Sequence, residues 1–197
     1  MKPSIILIGS GGHCKSCIDV IEQDNKYSIA GIIDKNRSTK SVLGYSVLGN
    51  DADLIELKTS YDYALIAIGQ IESPDIRIQL FNHLKLLGFK LPTIVSPRAY
   101  ISEHAQLGEG TIVMHEALIN VSAVIGNNCI INTKALIEHD VMIEDNCHIS
   151  TGAIINGGTI IKNGTFIGSN AATKEYVQTK VGEFIKAGSL FKGHISE

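Results

Sequence analysis

The chain has 197 residues, 44% of them hydrophobic and only 6% aromatic, with no tryptophan and a formal charge of −3. That is enough apolar content for one large domain or two small ones, and too little charge to attract nucleic acid or an anionic membrane. No run approaches the roughly 20 apolar residues a membrane span needs, and the short run after Met1-Lys2-Pro3 cannot serve as a signal peptide, so a cytoplasmic protein without membrane insertion is expected.

Ser4 to Ile8 is a continuous apolar run, as in a strand buried on both faces. It leads into Gly9-Ser10-Gly11-Gly12-His13, after which Cys14, Cys17, Ile18 and Ile21 recur at helical spacing. Tyr27 to Ile33 reads as a second strand ending at Asp34-Lys35, and Tyr63 to Ile68 as a third ending at Gly69-Gln70. Ser73-Pro74 opens a helix with an apolar stripe of Ile76, Leu80, Leu84 and Leu87, closed by Gly88. Leu91 to Val95 reads as a fourth strand. This alternation predicts a small parallel α/β sheet over residues 1–96, with a ligand crevice where Gly9–His13, Asp34-Lys35 and Gly69-Gln70 converge. Strand, glycine loop and helix N-terminus together make an anion-binding geometry. The loop misses the dinucleotide fingerprint at Cys14, so a phosphate-bearing ligand without nicotinamide is expected, with Asp34 able to accept from a ribose or base. Cys14 and Cys17 form a C-x-x-C with no second pair, and with Cys129 and Cys147 they read as free thiols.

From Ile101 onward the sequence repeats every six residues. Position one is a bulky aliphatic from Ile101 to Ile185 except at Thr173 and Thr179; position five is small or apolar except at Glu183. That period fits neither a helix nor an alternating strand. It fits a three-sided solenoid over residues 97–197, with the aliphatics filling the prism, the small residues at the corners, and successive coils paired as parallel strands about 4.8 Å apart.

The chemistry is expected in the segment Asn132-Thr133-Lys134-Ala135-Leu136-Ile137-Glu138-His139-Asp140. His139, third in its hexad, should project from a corner with a carboxylate on either side, and Asp140 is the better placed to orient its ring. An imidazole held in this way can take a proton from an attacking amine or hydroxyl. His115 occupies the same hexad position with Glu116 beside it, so the local pattern alone does not separate the two. His148, half a coil beyond His139, cannot touch it within one chain.

Ile-Gly-Ser-Gly-Gly-His near the start, Ala67-Ile68-Gly69 and the motif N-T-x-x-x-I-E-H-D resemble the PglD/NeuD-like family of hexapeptide-repeat sugar acetyltransferases over nearly the whole chain. The resemblance implies an α/β N-terminal domain followed by a left-handed parallel β-helix, assembled as a homotrimer. It implies acetyl-CoA as co-substrate, no metal, and an acceptor that is a nucleotide-linked 4-amino-6-deoxy sugar for bacterial surface glycan or glycoprotein synthesis. An alternative acceptor is the hydroxyl of sialic acid or a related sugar. It assigns His139 as catalytic base and Asp140 as its acidic partner. His148, Ser169 and Ala187 fall to the coenzyme, and Gly11, Gly12, His13, Asp34, Lys35, Gly69, Asn132 and Thr133 to the substrate. The sequence departs from the family at Cys14, at Thr173 and Thr179, and in lacking a G-x-P-A-like ending after Phe191-Lys192-Gly193-His194. A γ-type carbonic anhydrase would use the same repeat, but its close His-x-x-x-x-His pair is missing.

Overall fold

The computed structural model describes residues 2–35 and 39–194. The N-terminal sheet has the order β3-β4-β2-β1-β5, from strands Ser41–Val42 (β3), Tyr45–Gly49 (β4), Ser28–Ile33 (β2), Ser4–Ile8 (β1) and Tyr63–Ile66 (β5). All pairings are parallel except β3 with β4. β1 is central because both of its faces are apolar. Ile5 and Leu7 join helix α1 (Gly12–Asp24) in one core, while Ile6 and Ile8 meet Leu54, Leu80 and Leu84 in another, beneath helices α2 (Leu54–Leu57) and α3 (Asp75–Leu86). The order reverses at β1, between β2 on one side and β5 on the other, which opens a crevice at the carboxyl ends of these strands. Gly9 begins that crevice with φ +108°, and a Cβ there would lie 2.4 Å from the Ile68 side chain, so only glycine fits.

Two features of this half differ from the sequence reading. The hairpin Ser41–Val42/Tyr45–Gly49 is an added edge, turned by Leu43 and Gly44, both at positive φ. A Leu-Gly turn carries no Asn or Asp to announce it. The fourth strand is shorter than expected, Ile94–Val95, and pairs with Ile112–Val113 of the solenoid instead of joining the N-terminal sheet.

The remainder is a three-sided parallel β-helix. Its first face stacks Ile94–Val95, Ile112–Val113, Ile130–Ile131, His148–Ile149, Phe166–Ile167 and Phe184–Ile185. The second runs from Tyr100–Ile101 through Leu136–Ile137 to Leu190–Phe191, and the third from Gln106–Leu107 to Ile160–Ile161. Partners stand one 18-residue coil apart, as Leu118 with Leu136 and Ile119 with Ile137. The position-one aliphatics form a continuous buried file from Val113 to Ile185. Corners are turned by a left-handed residue at the fourth hexad position, including Asn128 (φ 54°) and Asp140 (φ 58°).

Thr173 and Thr179 do not loosen the file: both are buried and hydrogen-bonded. Thr173 Oγ1 accepts from the Asn156 N–H (2.9 Å) and lies 3.3 Å from Thr159 Oγ1; Thr179 Oγ1 accepts from the Lys162 N–H (2.8 Å) and lies 3.3 Å from Thr165 Oγ1. The two polar intrusions are thus matched by position-five threonines one coil back.

The first face of the β-helix is where the N-terminal half docks. Ile94, Ile112, Met114 and Ile130 share a core with α1, which is buried between sheet and solenoid. That sandwich explains the small thiols at 14 and 17. Burial pushes Cys14 up to about 11 and raises Cys17 as well, so neither is a ready thiolate.

Candidate active site

A cleft of about 910 Å³ occupies the crevice, and its floor is the β-helix. Gly11, Gly12, His13, Asp34, Lys35 and Gly69 line it from the N-terminal half, while Asn132 and His148 close it from the first face of the solenoid. A Cβ at Gly11 or Gly12 would meet nothing within 4 Å, so a ligand can approach the backbone there directly. No side chain caps the start of α1, which leaves its first amides directed at the cleft. Asp34 accepts from the Ser10 N–H at 2.6 Å and so fixes the glycine loop, a use of its carboxylate that the sequence did not suggest.

Deep in the cleft the charges are suppressed. His148 donates from Nδ1 to the Gln70 carbonyl (2.6 Å), and its Nε2 faces the Asn132 amide at 3.1 Å. That arrangement suits a neutral ring with Nε2 as acceptor. Burial, helped by the Arg77 charge and opposed by the Gln70 bond, takes its pKa down to about 4. His13 is lowered to about 3 by burial, then by Arg77 and His148, and its buried Nε2 has no hydrogen-bond partner among the described residues. The Gln70 amide oxygen is likewise buried without a partner among the described residues. Gln70 lines the cleft beside Gly69, where the sequence places the crevice, while Asp51, Gln79 and His83 also line it and were missed by the sequence reading. Thr133 does not line it; its N–H is taken by Asn132 Oδ1 (2.8 Å).

His139 stands elsewhere. It lies at the vertex between the second and third faces, opposite the face that floors the cleft, with 48% of its side chain exposed. Its Nδ1 is 2.8 Å from Asp140 Oδ2, which leaves Nε2 pointing outward. Glu138 is occupied with the Asn120 amide (2.9 Å) and the His139 N–H (3.3 Å), so Asp140 alone orients the ring. The imidazole lies over Gly157 of the next coil, where a Cβ would come within 2.8 Å of Cε1 and Nε2. His115, indistinguishable by pattern, is committed on both sides: Nδ1 to Ser96 Oγ (2.6 Å) and Nε2 to Asp19 Oδ2 (2.7 Å). Despite its Ser–His–Asp composition this trio is a tether between α1 and the solenoid, because Ser96 is 1% exposed and its oxygen already accepts from the Arg98 N–H.

Ser169 and Ala187 follow Thr133 along the vertex between the first and second faces, two and three coils on. Ser169 Oγ lies 3.0 Å from Ser150 Oγ, and Ala187 is exposed, its backbone packed against Gly168. Among the described residues no group of three or more His, Cys, Asp or Glu could hold a metal ion, and no helix is long and apolar enough to cross a membrane.

Residues 4–84 match the model of the PglD N-terminal domain, and residues 122–157 match the bacterial transferase hexapeptide model of six repeats. No curated protein sequence matches the chain. A mutant of perosamine N-acetyltransferase from Caulobacter crescentus, solved with CoA and GDP-perosamine, is similar at a TM-score of 0.92 and 29% identity over 96% of this chain and 89% of that one. The acetyltransferase domain of PglB from Neisseria gonorrhoeae, solved with acetyl coenzyme A, is similar at a TM-score of 0.87 and 30% identity over 95% of this chain and 90% of that one. WeeI from Acinetobacter baumannii shares the fold at a TM-score of 0.61 and 21% identity, over 96% of each chain. With an N-terminal half, a repeat and a full-length likeness that all agree, the chain belongs to the PglD-like family of hexapeptide-repeat sugar acetyltransferases.

Proposed function

We propose that the protein transfers the acetyl group of acetyl-CoA to the amine of a nucleotide-linked 4-amino-6-deoxy sugar, in the cytoplasm, for bacterial surface glycan or glycoprotein synthesis. The carrying observation is that the phosphate-suited crevice is floored by the β-helix at Asn132 and His148, so a sugar nucleotide held by its diphosphate would direct its sugar at the solenoid. Residues 1–96 hold the nucleotide sugar, and residues 97–197 supply the acetyl-transfer machinery. The amine is favoured over a sialic acid hydroxyl because the Caulobacter relative was solved with GDP-perosamine.

The free Nε2 of His139 is the base. Since it faces away from its own cleft, it serves the cleft of a neighbouring copy in a homotrimer. Exposed apolar residues on the second and third faces, Tyr100, Ile154, Leu190 and Met142, suit such an assembly. The acceptor nitrogen attacks the thioester carbonyl while His139 Nε2 takes its proton. A backbone N–H stabilises the oxyanion; the C–S bond then breaks and the proton passes from His139 to the departing thiolate. Asp140 fixes the tautomer. His148 on the first face and Ser169 and Ala187 on the vertex beside it span about two coils, roughly 10 Å at 4.8 Å per coil, in line with part of an extended coenzyme arm.

The test is acetyl transfer from acetyl-CoA to GDP-perosamine and to free sialic acid, followed by mass spectrometry. An N-acetylated sugar nucleotide supports the reading. Acetylation of sialic acid alone would replace the amine by a hydroxyl, and no transfer to either would refute both.

A further inference from the structure

The helix α3 carries a charge where its pattern calls for an apolar residue. Ile76, expected in the core stripe, is 56% exposed at the cleft, and the inward face is instead Arg77, Leu80 and Leu84. Arg77 is 1% exposed, and its hydrogen bonds all go to neutral oxygens. Its Nη1 donates to the carbonyls of Ile66 (3.3 Å) and Ile68 (2.7 Å), at the end of β5; Nη2 donates to the carbonyl and the side-chain oxygen of Asn128 (3.0 and 2.8 Å), at a solenoid corner. The next corners are gripped from the same segment. Asn128 donates to Asn146 Oδ1 (2.9 Å), and Gln70 Nε2 donates to the Asn146 carbonyl (3.1 Å). The Gln70 carbonyl in turn accepts from His148 Nδ1. A buried guanidinium without a carboxylate is a poor packing element. Its planar fork of donors, however, can join two strand-end carbonyls to a corner in one rigid unit, as a lysine ammonium cannot.

We propose that Arg77 is a positioning residue for acyl transfer: by tying the Ile66–Ile68 carbonyls to Asn128 it sets the Gln70 carbonyl against His148, so that the cleft floor presents that imidazole in one neutral tautomer beside Asn132. The catalytic consequence rests on the function proposed above; the geometric one does not.

The test compares wild type with Arg77→Met and Arg77→Lys. Imidazole nitrogen NMR, with the His148 signals assigned by their loss in His148→Gln, reads the tautomer. Steady-state transfer from acetyl-CoA to GDP-perosamine, well below the unfolding temperature, reads the turnover. Both variants should lose the single Nδ1–H form of His148 and lower kcat on the order of 10²-fold, the scale of a 1 Å misplacement. The KM for acetyl-CoA should stay within about twofold. A folded variant that keeps the wild-type tautomer, or one that loses it at unchanged kcat, overturns the proposal, as does full rescue by lysine. Should Arg77→Met not fold, Asn128→Gly keeps the left-handed corner while deleting the Oδ1 acceptor, and the same two readouts decide. If wild type transfers no acetyl group, the functional reading fails, and the NMR comparison still decides the positioning.

Discussion

The outward vertex carrying His139 and the docked face carrying His148 are built from the same six-residue repeat, yet they hold imidazoles of opposite character. His139 is half exposed, with one nitrogen on Asp140 and the other open. His148 is buried, both of its nitrogens are occupied, and it is held neutral. The repeat fixes where a side chain points; what packs against that point fixes its chemistry. On the first face the N-terminal half removes water and supplies a carbonyl. At the opposite vertex the ring lies over Gly157 with about half of its side chain exposed, so its Nε2 remains open to another molecule.

The largest effect that could break this contrast is the loss of His139. His139→Ala should lower kcat on the order of 10²- to 10⁴-fold, the range for a general base. Thermal midpoint and oligomeric state should not change, because the ring contributes no core contact. A variant with near wild-type turnover would make the vertex histidine a bystander.

The buried face should respond to acid instead. The His148 pKa is about 4 in the folded protein against 6.5 unfolded, so above pH 6.5 the ring is neutral in both states and adds no pH dependence. As pH falls from 6.5 toward 4 the unfolded chain binds the proton first and stability drops, by up to about 3 kcal/mol for this ring. His13 acts in the same direction over a window reaching to about 3. Urea midpoints at fixed protein concentration between pH 7 and 4.5 should show the decline, with a shallower slope in His148→Gln.

A smaller change sharpens the vertex. Gly157→Ala places a methyl group 2.8 Å from the His139 ring, which can swing aside at little cost in stability but leaves its working position. Turnover should fall about tenfold as alignment degrades, while the urea midpoint barely moves. The smallest expected effect lies in the file itself. Thr173→Val restores the aliphatic pattern yet strips the Asn156 N–H of its acceptor and Thr159 Oγ1 of its neighbour. It should destabilise by about 1 kcal/mol in equilibrium unfolding.

The hexad period gave away the three faces, the buried file and the outward placing of His139, because one residue in six repeats the same steric demand. The loop from Gly9 to His13 was legible for a similar reason: glycines before a helix have few other uses. What escaped the sequence depends on contacts between distant segments. His115 and His139 look alike locally, and only the docking of Asp19 and Ser96 commits the first. Arg77 sits inside an apparently amphipathic stripe, and its partner Asn128 is 51 residues away. Thr173 and Thr179 look like defects until Thr159 and Thr165 are seen one coil back. The brief fourth strand left the N-terminal sheet because Val95 and Val113 share a register that only the closed coil creates.

The central claim is that the cleft of one copy is completed by His139 of another, and complementation tests it most directly. Two variants, each inactive alone, would be co-expressed with different tags and the mixed assemblies isolated. One is His139→Ala; the other is Gly12→Glu, whose side chain enters open space and sets a carboxylate where a phosphate would bind. The account predicts that mixed assemblies regain acetyl transfer, because an intact cleft in one chain can meet an intact His139 in its neighbour. Mixed assemblies as inactive as their parents would contradict it.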